Sequence, residues 1–211
     1  IGAFHPPIAV YNYVPFLDSL SADDRVNGIG EIVKHGLIKG GNTYAYIRKY
    51  VGDIPEKRKI TEDIIFRSLR IKCDLIEQDE FDTGPRRLLN YGHTFGHALE
   101  GYTKNKIPHG IGVLVGMDMA NYISVQRGLL SKRAFGTISA FLWKLIPNRK
   151  MYLTDIDRYM DYLSHDKKVI GDRVDALLCR GIGKVEVVAL KLDTRLRKEI
   201  ASYVSTCQLK K

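Results

Sequence analysis

Between Gly84 and Glu100 the sequence sets Arg86, Asn90, His93 and His97 at steps of four, three and four residues. On an α-helix that spacing puts all four side chains on one face. Pro85 stands where a first helical turn tolerates a missing amide hydrogen, so the segment reads as one helix opening there. A stripe at helical period is ordinarily apolar and faces the core. A stripe of one guanidinium, one amide and two imidazoles must face a polar partner, because burying such groups unpaired costs roughly 2 kcal/mol or more each. Glu31, His93, His97 and His109 together offer nitrogen and carboxylate oxygen without cysteine, the donor chemistry of a catalytic zinc ion with an open position. Two histidines four apart are by themselves as readily core or surface groups; the whole stripe argues for a metal and an oxygen-rich anion. Gly92 and Gly96, each unfavourable in a helix by roughly 1 kcal/mol against alanine, read as a helix-packing contact.

Two further segments supply matching chemistry. Ser21 to Ile38 reads as a helix capped by Ser21, with Asp24 completing a capping-box pattern. It sets Glu31 and Lys34 three apart on one side, a spacing that on its own describes an ordinary surface ion pair. Thr61 to Gln78 reads as a helix whose apolar stripe is Ile65, Leu69 and Ile76, with Lys72 on that stripe. Such a lysine either snorkels outward or aims its ammonium into a pocket.

These residues carry a resemblance. The run Leu88-Leu89-Asn90-Tyr91-Gly92-His93-Thr94-Phe95-Gly96-His97-Ala98-Leu99-Glu100, followed by His109-Gly110, resembles the signature of the 3-dehydroquinate synthase family. So does Gly30-Glu31-Ile32-Val33-Lys34-His35-Gly36. Lys72 ahead of an acidic stretch with Gly84 and Arg86, and Asp166-Lys167-Lys168 ahead of Gly181-Ile182-Gly183-Lys184, extend the likeness in order along nearly the whole chain.

The resemblance implies that Glu31, His93 and His109 bind Zn2+ or Co2+. It also implies that His97, which spacing alone admits as a ligand, lies beside the reacting phosphate and its hydroxyl. By the same token Lys34, Lys72, Arg86 and Asn90 hold the carboxylate and hydroxyls of an anionic small-molecule substrate. Of Lys167 and Lys168, one contacts the phosphate, with Lys168 preferred. The implied fold is mainly α, the multi-helical carboxy-terminal domain of the dehydroquinate synthase-like fold with a short β-hairpin, occupying residues 1–211 as a single domain. The implied reaction turns 3-deoxy-D-arabino-heptulosonate 7-phosphate into 3-dehydroquinate with transient oxidation by NAD, a lyase step of the shikimate pathway in aromatic amino acid biosynthesis. Against the family pattern, no Gly-x-Gly-x-x-Gly run opens a helix after a strand. Ile1-Gly2-Ala3-Phe4-His5-Pro6-Pro7 resembles the segment that follows the family's amino-terminal NAD-binding α/β domain. That domain is therefore expected to be absent from this chain, and the chain is expected to bind metal better than it turns over substrate. The family also implies a homodimer.

Composition bounds the alternatives. With 211 residues and 45% hydrophobic content the chain can bury one core. No apolar run approaches the roughly 20 residues of a membrane span and no secretory pattern opens the sequence. Cys73, Cys179 and Cys207, odd in number and far apart, fit a reducing, cytoplasmic setting. The net charge of +9 is spread among interleaved acids, apart from the stretch Arg195 to Lys198 and the pair Lys210, Lys211. It suits a solvated face and an anionic ligand better than the minor alternative, a helical nucleic-acid-binding module. His165-Asp166 matches a metal dipeptide of some helical phosphohydrolases, a weak signal. The nearer rival is another sugar phosphate cyclase, a 2-deoxy-scyllo-inosose or valiolone-type synthase, against which Arg86 and Asn90 favour a substrate with a carboxylate. Beyond the site, helices are expected from His109 to Gln126 with a small-residue ridge at Gly112, Gly116 and Ala120, and from Ser131 to Ile146. Others are expected from Thr154 to Ser164, capped by Thr154, and from Thr194 to Thr206. Val174 to Leu178 and Val185 to Leu190 should pair as a hairpin.

Overall fold

The structure, a computed structural model, describes residues 8–51, 61–146, 153–166 and 168–208. Residues 1–7 and Lys167, which carry part of the resemblance, lie outside that set, as do Lys210 and Lys211. A 3₁₀ turn at Val14–Ser19 precedes helices α1 (Ala22–Lys39), α2 (Gly41–Val51) and α3 (Glu62–Gln78). A second 3₁₀ turn at Pro85–Asn90 leads into α4 (His93–Tyr102), α5 (His109–Gln126), α6 (Lys132–Leu145) and α7 (Ile156–Ser164). Strands β1 (Val169–Ile170), β2 (Arg173–Gly181) and β3 (Lys184–Lys191) form an antiparallel sheet in the order β1-β2-β3, and α8 (Thr194–Gln208) follows. The expected mainly helical fold with a hairpin is thus present, the hairpin carrying an added short strand.

Helix α5 is the axis of the molecule. Every residue from Gly110 to Asn121 is buried, so the helix must be enclosed on every side. It contacts α1, α4, α6, α8 and β2. The enclosure is unusually close where α1, α4 and α5 meet. A Cβ at Gly110 would overlap the Asn27 carbonyl oxygen, one at Gly30 the Gly110 carbonyl, and one at Gly116 the Gly92 carbonyl. Gly96 lies near the Gly112 carbonyl, where a Cβ would stand at 2.8 Å. The expected small-residue contacts are therefore real, and they draw three helices together at backbone distance.

Several helix ends follow their sequence signals. Ser21 accepts from the Asp24 amide at 3.1 Å, and Ser131 from the Ala134 amide at 3.2 Å. The cap of α7 is Asp155, not Thr154: Asp155 accepts from Arg158 N, while the Thr154 hydroxyl pairs with Tyr102. Helix α2 and the turn at Val14–Ser19 were not expected from the sequence. The carboxy-terminal end of α1 is completed from far away, where Gly183 N in the β2–β3 turn donates to the Leu37 carbonyl at 2.8 Å. Gly183 adopts φ +78° there and touches Gly40. No disulfide joins Cys73, Cys179 and Cys207.

The expected continuous helix from Gly84 to Glu100 is broken. Pro85–Asn90 is 3₁₀, and Gly92 takes the left-handed φ of +81° that separates it from α4. Two physical causes are visible. Asp79 gathers the amides of Thr83, Gly84 and Arg86 on its carboxylate and fixes the turn. Gly92 lies so close to Met117 and Val113 of α5 that no side chain fits. Only His93 and His97 therefore share a helix face; Arg86 and Asn90 belong to the turn before it. On α3 the buried positions are Ile64, Ser68 and Ile71, one step from the expected stripe, and Lys72 is exposed.

Candidate metal and substrate site

The site forms where the glycine contacts bring α1, α4 and the first turn of α5 together. Helix α1 supplies Glu31 and Lys34, α4 supplies His93 and His97, and α5 opens with His109. Nitrogens of His93, His97 and His109 lie within 4.8 Å of one another. Glu31 Oε1 stands 3.5 Å from His93 Nε2 and 3.6 Å from His109 Nε2. These separations match the edge of a tetrahedron, about 3.4 Å for ligands about 2.1 Å from its centre. Glu31 Oε1 is buried and has no hydrogen-bond partner, whereas Oε2 accepts from Lys34 Nζ at 2.7 Å. A buried carboxylate oxygen left unpaired beside two imidazole nitrogens fits a divalent cation.

The outer ring nitrogens are committed elsewhere. His93 Nδ1 lies 3.3 Å from the Tyr91 carbonyl, and His109 Nδ1 lies 3.0 Å from Glu100 Oε1. Carbonyl and carboxylate oxygens only accept, so each Nδ1 carries a proton, and it is the Nε2 edge of each ring, with its lone pair when the ring is neutral, that faces Glu31.

The electrostatics are those of a crowded, half-dry site. Burial, with the Lys34 charge adding to it, lowers the His93 pKa to about 3. Burial also lowers that of His97. His109 goes the other way, raised to about 9 by its hydrogen bond to Glu100 and its contact with Glu31. Burial alone would raise the Glu31 carboxyl; His109 and Lys34 beside it outweigh that and hold it well below the carboxylate range. Burial lowers the Lys34 ammonium, opposed by Glu31 and reinforced by the nearby charge of Lys72. The Lys34 side chain is 3% exposed, so its pairing with Glu31 is not the solvated surface ion pair that the spacing alone describes.

Around this centre the other expected residues are placed unevenly. Lys168 Nζ reaches Thr94 Oγ1 of α4 at 3.5 Å and Asp166 Oδ2 at 3.7 Å, and the charges of Lys168 and Asp166 both bear on His97. Lys72 acts on Lys34 and His35 through its charge. Arg86 donates to the Glu80 carbonyl at the turn, and Asn90 is half-buried at the end of that turn. His165 is exposed with Nδ1 2.7 Å from the Asp161 carbonyl, and the metal-type cluster found among the described residues does not include it. Sequence reasoning gave no role to Glu100 or Thr94. A carboxylate near a ligating histidine is a recurring pairing, but nothing in the spacing of Glu100 and His109 announces it.

Comparison with known proteins places this geometry. The fold is that of sugar phosphate cyclases. A 2-epi-5-epi-valiolone synthase from Streptomyces hygroscopicus, solved with NAD+ and Zn2+ bound, superimposes with TM-score 0.77 at 22% identity over 94% of this chain and 55% of that one. A 2-deoxy-scyllo-inosose synthase complexed with carbaglucose-6-phosphate, NAD+ and Co2+ gives TM-score 0.70 at 21% identity, covering 90% of this chain and 54% of that one. The family described as 3-dehydroquinate synthase C-terminal matches residues 28–169, and the chain belongs to it. The 3-dehydroquinate synthase of Rhodopseudomonas palustris is 35% identical over 198 residues, 89% of this chain and 52% of the relative. That of Alkaliphilus metalliredigens is 31% identical over 211 residues, 98% of this chain and 57% of the relative. The chain spans about half the length of these curated relatives. Among the described residues no helix is long and apolar enough to cross a membrane.

Proposed function

We propose that the chain is the metal- and substrate-holding part of a 3-dehydroquinate synthase, acting on 3-deoxy-D-arabino-heptulosonate 7-phosphate. The observation that carries this reading is the buried, unpartnered Glu31 Oε1 set between Nε2 of His93 and Nε2 of His109. Those three residues would hold Zn2+ or Co2+, with NAD held by the part of the relatives that this chain does not span. When bound, the metal lowers the pKa of a substrate hydroxyl, and the nicotinamide takes up and returns a hydride.

The chain's own residues do the rest by holding and neutralising. Lys34, already dry and paired with Glu31, donates to a substrate hydroxyl and offsets its negative charge as the proton leaves. Lys72 adds a second positive charge at the mouth of the site. Arg86 keeps N–H donors beyond the one given to Glu80, enough to grip a carboxylate with two parallel bonds, and Asn90 offers its amide to the hydroxyls. His97, neutral at pH 7 because burial lowers its pKa, can accept a proton beside the phosphate. Lys168, steadied by Asp166 and Thr94, binds the phosphate oxygens. Much of the catalysis is then positioning, with the substrate's own phosphate taking the proton lost in the elimination.

The fold likeness to inosose and valiolone synthases supports a second reading, a cyclase acting on a sugar phosphate without a carboxylate. The substrate from which phosphate is released separates the two. The chain fused to the amino-terminal half of a curated relative should release phosphate from the heptulosonate phosphate with NAD, and Arg86→Ala should raise KM strongly. Turnover of glucose 6-phosphate in its place would establish the second reading.

A further inference from the structure

Glu100 lies near the end of α4, and its side chain is 18% exposed. Its backbone carbonyl accepts from Asn105 N at 2.8 Å and from Thr103 Oγ1 at 3.1 Å. Between α4 and α5, Lys104 and Asn105 both take left-handed backbone conformations, with φ of 54° and 57°. This tight connection folds the chain back so that the Glu100 side chain meets His109. Across the contact, Gly112 makes room: a Cβ there would stand 2.8 Å from Glu100 Oε1. Glu100 sits on the Nδ1 side of the ring, opposite the edge that faces Glu31 and His93. It therefore cannot share a metal with Nε2 of the same ring; it can only orient that ring.

Resting on the metal reading above, we infer that Glu100 is a positioning residue for the metal centre. It fixes His109 in the tautomer and orientation that present the Nε2 lone pair to the cation. The need is specific to His109, whose side chain is 42% exposed against 12% for His93. Buried His93 is held by packing and by the Tyr91 carbonyl, which sits two residues away on the same backbone. His109 stands at a helix start with open space beside it, and Glu100 is the group that stops its ring from turning. A carboxylate in this relation typically accounts for about 10- to 100-fold in metal affinity.

The experiment is a Co2+ titration of the 211-residue chain, read by the visible absorption of the bound ion and by chelator competition, on the unchanged protein and on Glu100→Ala, Glu100→Gln and His93→Ala. Glu100→Ala should bind cobalt about 10- to 100-fold more weakly, with an altered visible band. Glu100→Gln, whose amide oxygen still accepts from Nδ1–H, should recover much of the affinity and the band shape. It also serves if Glu100→Ala does not fold. Equal affinity and an identical spectrum in all Glu100 variants, with binding lost in His93→Ala, would overturn this inference and leave the metal reading standing. Cobalt binding that survives His93→Ala with its spectrum unchanged would overturn the metal reading and this inference with it.

Discussion

The two halves of α5 each carry a polar cluster inside a helix that is otherwise apolar, and they end differently. In the carboxy-terminal half, Asp118 Oδ2 accepts from Trp143 Nε1 and from the Tyr203 hydroxyl, Asn121 Oδ1 accepts from Tyr91, and Ser124 Oγ accepts from the Cys179 amide. Each of those donors comes from the fold itself. At the amino-terminal end, His109 meets Glu31, His93 and His97, and a carboxylate oxygen and imidazole nitrogens converge on one point. Polar burial alone therefore does not mark function. What sets the amino-terminal cluster apart is its composition, three imidazoles and a carboxylate gathered closely enough to share one ion.

Substitutions at each cluster test this contrast. The greatest change is expected from a His93→Ala, His109→Ala double variant: metal content by plasma mass spectrometry should fall from about one ion per chain to none. Full retention would dissolve the distinction between the two clusters. Next, Gly110→Ala forces a Cβ into the Asn27 carbonyl and should cost about 3 kcal/mol or more by urea unfolding, with metal binding weakened because α1 must retreat. Trp143→Phe removes one donor from buried Asp118 and should cost about 1 to 3 kcal/mol while leaving cobalt affinity unchanged. A matching loss of cobalt affinity would show that the clusters are coupled along α5.

A gentler dependence is expected on pH. In the metal-free chain His109 stays protonated up to about 9, so a metal must displace that proton. Apparent affinity should rise by up to about tenfold per pH unit toward pH 9 and then level off, with His93, whose pKa is about 3, contributing no step between pH 5 and 9. The stability that His109 lends the metal-free chain has the opposite sign. Its folded pKa is raised, so that stability is complete below about 6.5 and is lost as pH climbs through about 9. Isothermal titration and thermal melts across that range check both slopes.

Much of this was legible in the sequence wherever a signal is local. Ser21 and Ser131 announce α1 and α6, the small residues Gly112, Gly116 and Ala120 announce a closely packed α5, and His93 and His97 share a face because four residues make about one turn. Where tertiary contact decides, the sequence was silent. Gly92 ends one element and starts another because α5 leaves it no room, and Asp79 captures amides up to seven residues on. Helix α2 begins at Gly41 after Gly40, a pair that reads locally as a break. The partnership of Glu31 with His93 and His109 joins three helices; donor chemistry grouped them with His97, and only the family resemblance set His97 apart.

The hydrogen bond from Gly183 to Leu37 bears on how the molecule is made. Helix α1 carries Glu31 and Lys34, and it is translated before the hairpin. Its last turn nevertheless receives a donor from that later β-turn. Until then the Leu37 carbonyl lacks that donor, and the contact, spanning 146 residues (183 − 37), is slow to form because distant segments must first find each other. A ribosome stalled before the hairpin would display a nascent chain in which α1 lacks this donor at the end that follows Lys34. The end of the helix that carries Glu31 and Lys34 is therefore completed only after the hairpin has been made.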